Sequence, residues 1–382
     1  MTQAERSSPL GGAGAPEPPV AVPTTREPLR IAMVAPPWFE LPPDGYGGIE
    51  VVVAALVDHL VARGHHVTLI GSGEHRTAAQ RFVRVFAEPP TSELGNPVPE
   101  VIHAAVADGV LSGMDVDLVH DHTLAGPLLA RARPTPTVVT MHGPVQGRLG
   151  EYFEHLGGWV HLVAISDAQR RLNPTLNWVA TVHNAVDVST FPYSADKSDY
   201  VLWIGRFSPD KGAHLAIDAA RAAGRRIVLA GKLNEDVERD YFAEAVQPRL
   251  GPDVEYVGEA DADLKRRLYS GARCLVFPIQ WEEPFGMVMI EAMACGTPVV
   301  ATRRGSVPEI VEHGRSGVVV DAGATAEEIG AAVLQAEDLD PAQARACAAE
   351  LFDLPVMAAG YEQAYRRVLE RAGPGTRRLA VV

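Results

Sequence analysis

The sequence predicts an α/β protein of two Rossmann-like units, each a parallel sheet wrapped by helices, with a cleft between them. Three observations carry this. The 382 residues exceed one small module, at a soft prior of about 150 residues per domain. Short apolar, β-rich runs alternate with helical stretches, as strands covered on both faces do. That alternation stops at a polar stretch and starts again, which places a boundary near 188–199. Ligands of open parallel sheets sit beyond the carboxyl ends of the strands, so loops from both units would line the cleft.

Residues 1–27 are rich in proline, glycine, alanine and small polar residues. They lack the large apolar groups that offset ordering entropy, which predicts a disordered tail. With Arg6 and Arg26 as its only basic residues, it is a poor membrane anchor. The N-terminal unit, 28–190, opens with LRIAMVAP at 29–36, an apolar run closed by prolines and read as a buried strand. A helix follows, with Val51, Ala54, Ala55, Val57, Leu60 and Val61 forming its stripe and Gly64 ending it. VTLIGSG, VDLVHDH (116–122), TVVTMHG (137–143) and HLVAISD (161–167) supply further strands.

The second unit, 191–350, begins with the strand YVLWIGR (200–206) and the amphipathic helix KGAHLAIDAARAAG. RIVLAGK, VEYVGE and ARCLVFPI are strands, MVMIEAMACG is a helix after EEPFG, and TPVVAT and GVVVD (317–321) complete the sheet before a helix from about Thr325.

Composition narrows the class. A hydrophobic share of 47% and a charged share of 21% exclude full disorder, a fibrous repeat and a small disulfide scaffold. Lysine plus arginine is 34 against 48 aspartate plus glutamate, a net charge of −14, which disfavours nucleic acid as a partner. Cys274, Cys295 and Cys347 are an odd count without CxxC spacing, as expected in a reducing cytosol. No apolar run approaches the roughly 20 residues that cross a bilayer, and no signal core stands at the N-terminus. The expectation is a cytoplasmic chain.

The densest polar signal is WEEPFGMVMIEAMACGTPVV at 281–300. Pro284 stops an extended run and Phe285-Gly286-Met287 opens a helix, whose unpaired N–H groups and positive dipole end suit a phosphate. Glu283 falls just before that start and Glu291 nearly two turns inside it, one acid near the phosphates and one beside what they carry. The plainer reading is a cap and a solvated face residue. In GRFSPDKGAHLAI at 205–217, Arg206 ends a strand and Lys211 precedes a helix, two cations placed to neutralise a diphosphate; standing alone they would read equally as an exposed loop pair. Gly47 and Gly48 let backbone amides approach a ligand at a helix start. Neither their run nor GSGEH at 71–75 is a dinucleotide fingerprint, and no P-loop exists in the chain. His142 at a strand end can donate a hydrogen bond to a sugar hydroxyl or a leaving phosphate, or move a proton. His120 and His122 share one strand face without a third ligand near them, which favours hydrogen bonds in or beside the cleft over a metal site.

Together, GYGGIE, DLVHDH, TMHG, ISDAQR, VHNAVD, GRFSPDKG, AGK, EEPFGMVMIEAMACGTPVVAT and RGSVPEIVEHGRSG, spread over about 31–321, resemble the nucleotide-sugar glycosyltransferases of family 4, with their two-domain GT-B architecture. The resemblance implies retaining transfer of a sugar from a nucleotide diphosphate to an acceptor, with no cofactor and no required metal. It implies that Arg206 and Lys211 hold the diphosphate, that Phe285, Gly286, Met287 and Val288 present amides and packing to phosphates and sugar, and that Glu283 binds donor-sugar hydroxyls. Glu291 would take the ribose, Gly47 and Gly48 the diphosphate from the other unit, His142 the transferring sugar, and Val257 with Gly258 the base. It also implies that a final helix within 351–382 crosses back onto the first unit. Acceptor contacts are expected from Trp38 to Asp44, His75 to Arg84 and Gln146 to Phe153. The absence of a basic amphipathic surface there points to a small-molecule, natural-product or oligosaccharide acceptor. A monomer or homodimer is expected. The alternatives on the same fold are a sugar-nucleotide epimerase, a phosphorolytic enzyme, or a non-catalytic sugar-nucleotide sensor.

Overall fold

The structure is a computed structural model that describes residues 27–44 and 47–372. The predicted tail therefore lies outside the described residues except for Glu27, as do Gly45 and Tyr46 of the glycine-rich turn. In the first half β1 (Arg30–Val34), α1 (Gly48–Ala62), β2 (His66–Gly71), β3 (Arg81–Arg84), α2 (Pro97–Leu111), β4 (Leu118–Asp121), β5 (Thr137–Met141), α3 (Gly147–Leu156), β6 (Val160–Ala164), α4 (Asp167–Leu172) and β7 (Trp178–Thr181) form a seven-stranded sheet and its helices. The strand order is β3-β2-β1-β4-β5-β6-β7 and the pairings are parallel. The fourth run ends as a strand at Ala164, earlier than HLVAISD suggests. Ser166 caps α4 instead, its side chain accepting from the Gln169 N–H at 3.0 Å, a role that serine fills better than a strand position.

In the second half β8 (Val201–Ile204), α5 (Ala213–Ala222), β9 (Ile227–Ala230), α6 (Asp236–Tyr241), β10 (Val254–Tyr256), α7 (Ala262–Gly271), β11 (Leu275–Phe277), α8 (Met287–Ala294), β12 (Val299–Thr302), α9 (Val307–Ile310), β13 (Gly317–Val320), α10 (Ala326–Glu337) and α11 (Pro341–Leu351) build a six-stranded sheet. Its order, β10-β9-β8-β11-β12-β13, is again parallel. Each sheet reverses its winding beside its first strand, at β1/β4 and at β8/β11. Such switch points open a crevice at the strand ends.

The last helix, α12 (Leu354–Ala372), starts after a break. Phe352 leaves the helical region, and the Asp353 carboxylate accepts from the N–H groups of Val188 at 3.2 Å and Leu354 at 3.0 Å. The final helix expected within 351–382 thus begins at Leu354, three residues after α11 ends. α12 then packs on α1 and β7 of the first half. Leu354, Met357, Ala358, Tyr361, Ala364, Tyr365 and Val368 join the core of the first sheet, a spacing that lines one helical face. Glu362 fixes the helix to the end of α1 through Arg63, at 2.6 Å.

Candidate active site

The two switch points face each other, and a cavity of about 380 Å³ lies between them. Gly48, Ile49 and His142 line it from the first half; Gly205, Lys211, Glu283 and the Phe285–Val288 turn line it from the second. Met287, at the head of α8, packs against the cores of both halves.

The second-half wall is a charged one. Gly286 is the N-cap of α8, with φ 82°, and no side chain caps this helix. The N–H groups of Met287 and Val288 thus have no side-chain cap, and the positive φ explains why glycine stands at Gly286. The turn is held from behind by the Arg304-Gly305-Ser306 segment. Ser306 Oγ donates to the Phe285 carbonyl at 2.7 Å and Ser306 N–H to the Glu283 carbonyl at 2.9 Å. A Cβ on Gly305 would fall 2.2 Å from that same Glu283 oxygen. Glu283 is buried. Its Oε2 accepts from Lys211 Nζ and from Trp281 Nε1, the latter at 3.1 Å, and the ammonium lies 5.1 Å from the Trp281 ring centroid.

The first-half wall carries no such pair. His142 stacks near His122, with His142 Nε2 and His122 Nδ1 2.9 Å apart. His120 lies beneath, its ring nitrogens 2.8 Å from Tyr365 Oη and 2.8 Å from Thr140 Oγ1. Burial pushes His142 down to about 4 and His120 to about 3, and burial together with the neighbouring imidazoles takes His122 well below 6.5. Among the described residues no cluster of three or more His, Cys, Asp or Glu is arranged for a metal ion; the nitrogens of His120 and His122 are already engaged by side chains.

Of the residues singled out from sequence, Gly48, His142, Lys211, Glu283, Phe285, Gly286, Met287 and Val288 meet at this cavity. Gly47 stands beside it as the N-cap of α1. Arg206 is exposed one residue beyond Gly205, and its side chain makes no ion pair among the described residues. Glu291 is turned into its own half, where Oε2 accepts from Tyr269 Oη at 2.8 Å and Lys265 lies 3.0 Å away. Val257 packs on the second-half core, and Gly258 accepts from the Gly231 N–H at 2.9 Å; neither is part of the cavity wall. The expected acceptor segments 38–44 and 75–84 do meet, with the Arg76 N–H donating to the Leu41 carbonyl at 2.7 Å, but Phe153 is committed to the core.

Two residues escape sequence reasoning. Asn184, in the crossover after β7, is buried in the cavity wall and its Oδ1 has no partner among the described residues. Glu309, on α9, reaches the other half: it accepts from the N–H groups of Asp167 at 2.7 Å and Ala168 at 2.5 Å, and lies 3.4 Å from His183 Nε2. Only the polar VHN and PEI runs flag them.

Known proteins resemble the chain in sequence and in fold. A profile for "Glycosyltransferase Family 4" matches residues 46–205, and one for "Glycosyl transferases group 1" matches 190–349. The chain is 30% identical over 353 residues to an alpha-maltose-1-phosphate synthase of Mycobacterium tuberculosis, covering 76% of this chain and 84% of the relative. Among solved structures it is similar to AviGT4, a glycosyltransferase involved in avilamycin A biosynthesis, with TM-score 0.67 and 29% identity over 90% of this chain and 98% of that one. Anabaena HepE, solved with UDP and glucose, shares the fold at TM-score 0.69 and 19% identity, over 88% and 99% of the two chains. The chain belongs to glycosyltransferase family 4 and is a glycosyltransferase of the GT-B fold.

Proposed function

We propose that the enzyme moves a sugar, with retention, from a nucleotide diphosphate to a small-molecule, natural-product or oligosaccharide acceptor. One observation carries this reading: the Lys211–Glu283 pair and the uncapped start of α8 face His142 and Gly48 across a single cavity. Bond breaking leaves negative charge on the diphosphate. Lys211 Nζ, the exposed Arg206 and the N–H groups at α8 supply the preorganised positive field that stabilises it, so the reaction as proposed needs no metal ion. Glu283 is freed for sugar hydroxyls when Lys211 turns to phosphate. It is the only carboxylate among the described residues of the wall, and with Trp281 Nε1 still donating to it and sugar hydroxyls replacing Lys211 it is a poor nucleophile. Retention, carried over from the family, then runs through front-face attack by the acceptor. Closing the two halves excludes water, the competing acceptor.

A melting-temperature screen with UDP, GDP, ADP and TDP and their common sugars tests the donor. One nucleotide and its sugar conjugate should raise Tm by mass action, and that conjugate should then be consumed in the presence of an acceptor panel. A flat response to every nucleoside diphosphate would sink the reading.

A further inference from the structure

His142 uses its ring on one side only. Nε2 lies 2.9 Å from His122 Nδ1, while Nδ1 has no protein partner among the described residues and the ring lines the cavity. His122 is buried, and its second nitrogen, Nε2, lies 3.2 Å from Met33 Sδ. A thioether sulfur accepts weakly and never donates, whereas a neutral imidazole has one donor and one acceptor nitrogen. His122 is therefore satisfied in one form alone, with Nε2–H directed at the sulfur and Nδ1 bare. A bare Nδ1 on His122 in turn demands the His142 proton on Nε2.

We propose that Met33 and His122 are positioning residues that hold His142 as the Nε2–H tautomer, so that it offers an unprotonated Nδ1 to the cleft and accepts a hydrogen bond from a sugar hydroxyl. This reverses the polarity that a strand-end histidine suggests, since the hydroxyl becomes the donor. Burial keeps the imidazoles neutral, so no imidazolium scrambles the order. The plane of His122 is set from below by His120, with ring centroids 4.0 Å apart. His120 is itself tied to Tyr365 and, through Thr140 Oγ1 at 3.0 Å, to Tyr361. The crossing helix α12 thus reaches the cleft through the core of the first sheet.

The hydroxyl partner rests on the proposed function; the tautomer does not, and it is read without substrate. Histidine-selective ¹⁵N labelling of the full chain, with long-range ¹H–¹⁵N correlation, should give His142 a protonated Nε2 and a bare Nδ1, the signals being assigned by their loss in His142→Gln. A proton on Nδ1 of His142 overturns the proposal. In Met33→Leu, which conserves volume, a second His142 tautomer should appear. His122→Phe should do the same and lower kcat/KM about tenfold, the worth of one good hydrogen bond. An unaltered His142 spectrum in a folded His122→Phe overturns it too. The expected wild-type spectrum with no measurable sugar transfer would instead sink the proposed reaction alone.

Discussion

Across the cleft, the first half offers neutral imidazoles braced by a buried stack, while the second offers an ion pair, Lys211 with Glu283, beside an uncapped helix start. The two walls solve different problems. Imidazoles that satisfy each other internally hold a geometry that ligand binding need not disturb. In the proposed reaction, a lysine and a glutamate that neutralise each other in the free protein exchange partners when a diphosphate enters, so that wall would store charge and release it on binding. The largest expected effect follows. Lys211→Ala removes a cation that the proposed reaction places at the leaving diphosphate and should lower kcat by about a hundred- to a thousandfold. It also leaves Glu283 buried without its cation, so Tm should fall. Glu283→Ala should abolish transfer as well, and the double variant should melt above at least one single variant, because no buried charge is then left alone. Near-normal turnover in folded Lys211→Ala would erase the distinction between the walls.

The same contrast runs through the two sheets. Burial is the first cause that lowers His65, His103, His120, His122, His142 and His161 in the first half, whereas His214 alone is so lowered in the second. His103 on α2 is buried, lies near 4 and has no partner for either ring nitrogen among the described residues. The sign is fixed by linkage: the unfolded chain takes up the proton near 6.5 and the folded one resists it to about 4. Stability is therefore whole above 6.5 and is lost as pH falls from there toward 4. The first half should unfold before the second on acidification. His103→Leu should stabilise by roughly 2 kcal/mol more at about pH 5 than at neutral pH, measured by melts at both values. Equal acid sensitivity in wild type and variant would break the comparison.

What the sequence disclosed follows the same physics. Strands covered on both faces show as unbroken apolar runs, so Ile31–Val34 and Leu275–Phe277 were readable. β3, a short edge strand with arginine at both ends, was not. α2 was also hidden, because Val98, Val101, Ile102 and Val106 point outward and blur the one-sided stripe that marks a helix. In the site, the Glu283–Val288 turn and the Arg206–Lys211 loop are local and legible. The contacts of His122 with His142 and of Glu309 with α4 join distant strands or the two halves, and no spacing rule reports them. Glu291 shows the converse: its distance from Glu283 is legible, but its commitment to Lys265 and Tyr269 is not.

Glu309 supplies a test of how the walls are kept opposite each other. Burial raises its pKa, but hydrogen bonds from His183 and from the N–H groups of Asp167 and Ala168 outweigh this and hold it below 4.5. A carboxylate so depressed contributes stability that is present above its unfolded value and lost as pH falls through the folded one. Glu309→Ala should cost about 1.5–3 kcal/mol, the range for hydrogen bonds to a charged group, and should loosen the contact between the halves. Scattering in solution should then report a larger radius of gyration for the variant without donor. An unchanged radius and melting temperature would show that the halves are aligned by the α12 crossover and the Met287 contact instead.

The smallest effect separates binding from stability. Asn184 Oδ1 is enclosed in the cavity wall without a donor among the described residues, and a buried polar group left unsatisfied costs about 1–3 kcal/mol. Proteins keep such a group where a ligand completes it, and a sugar hydroxyl is the donor that the proposed reaction brings there. Asn184→Leu should therefore raise Tm in the absence of ligand and raise KM for the sugar donor about tenfold, with kcat changed less, since the interaction is made in ground and transition states alike. A drop in Tm without ligand would mean that Asn184 serves the crossover itself. In that case the neutral wall of the cleft ends at His142, and the crossover after β7 contributes backbone but no recognition.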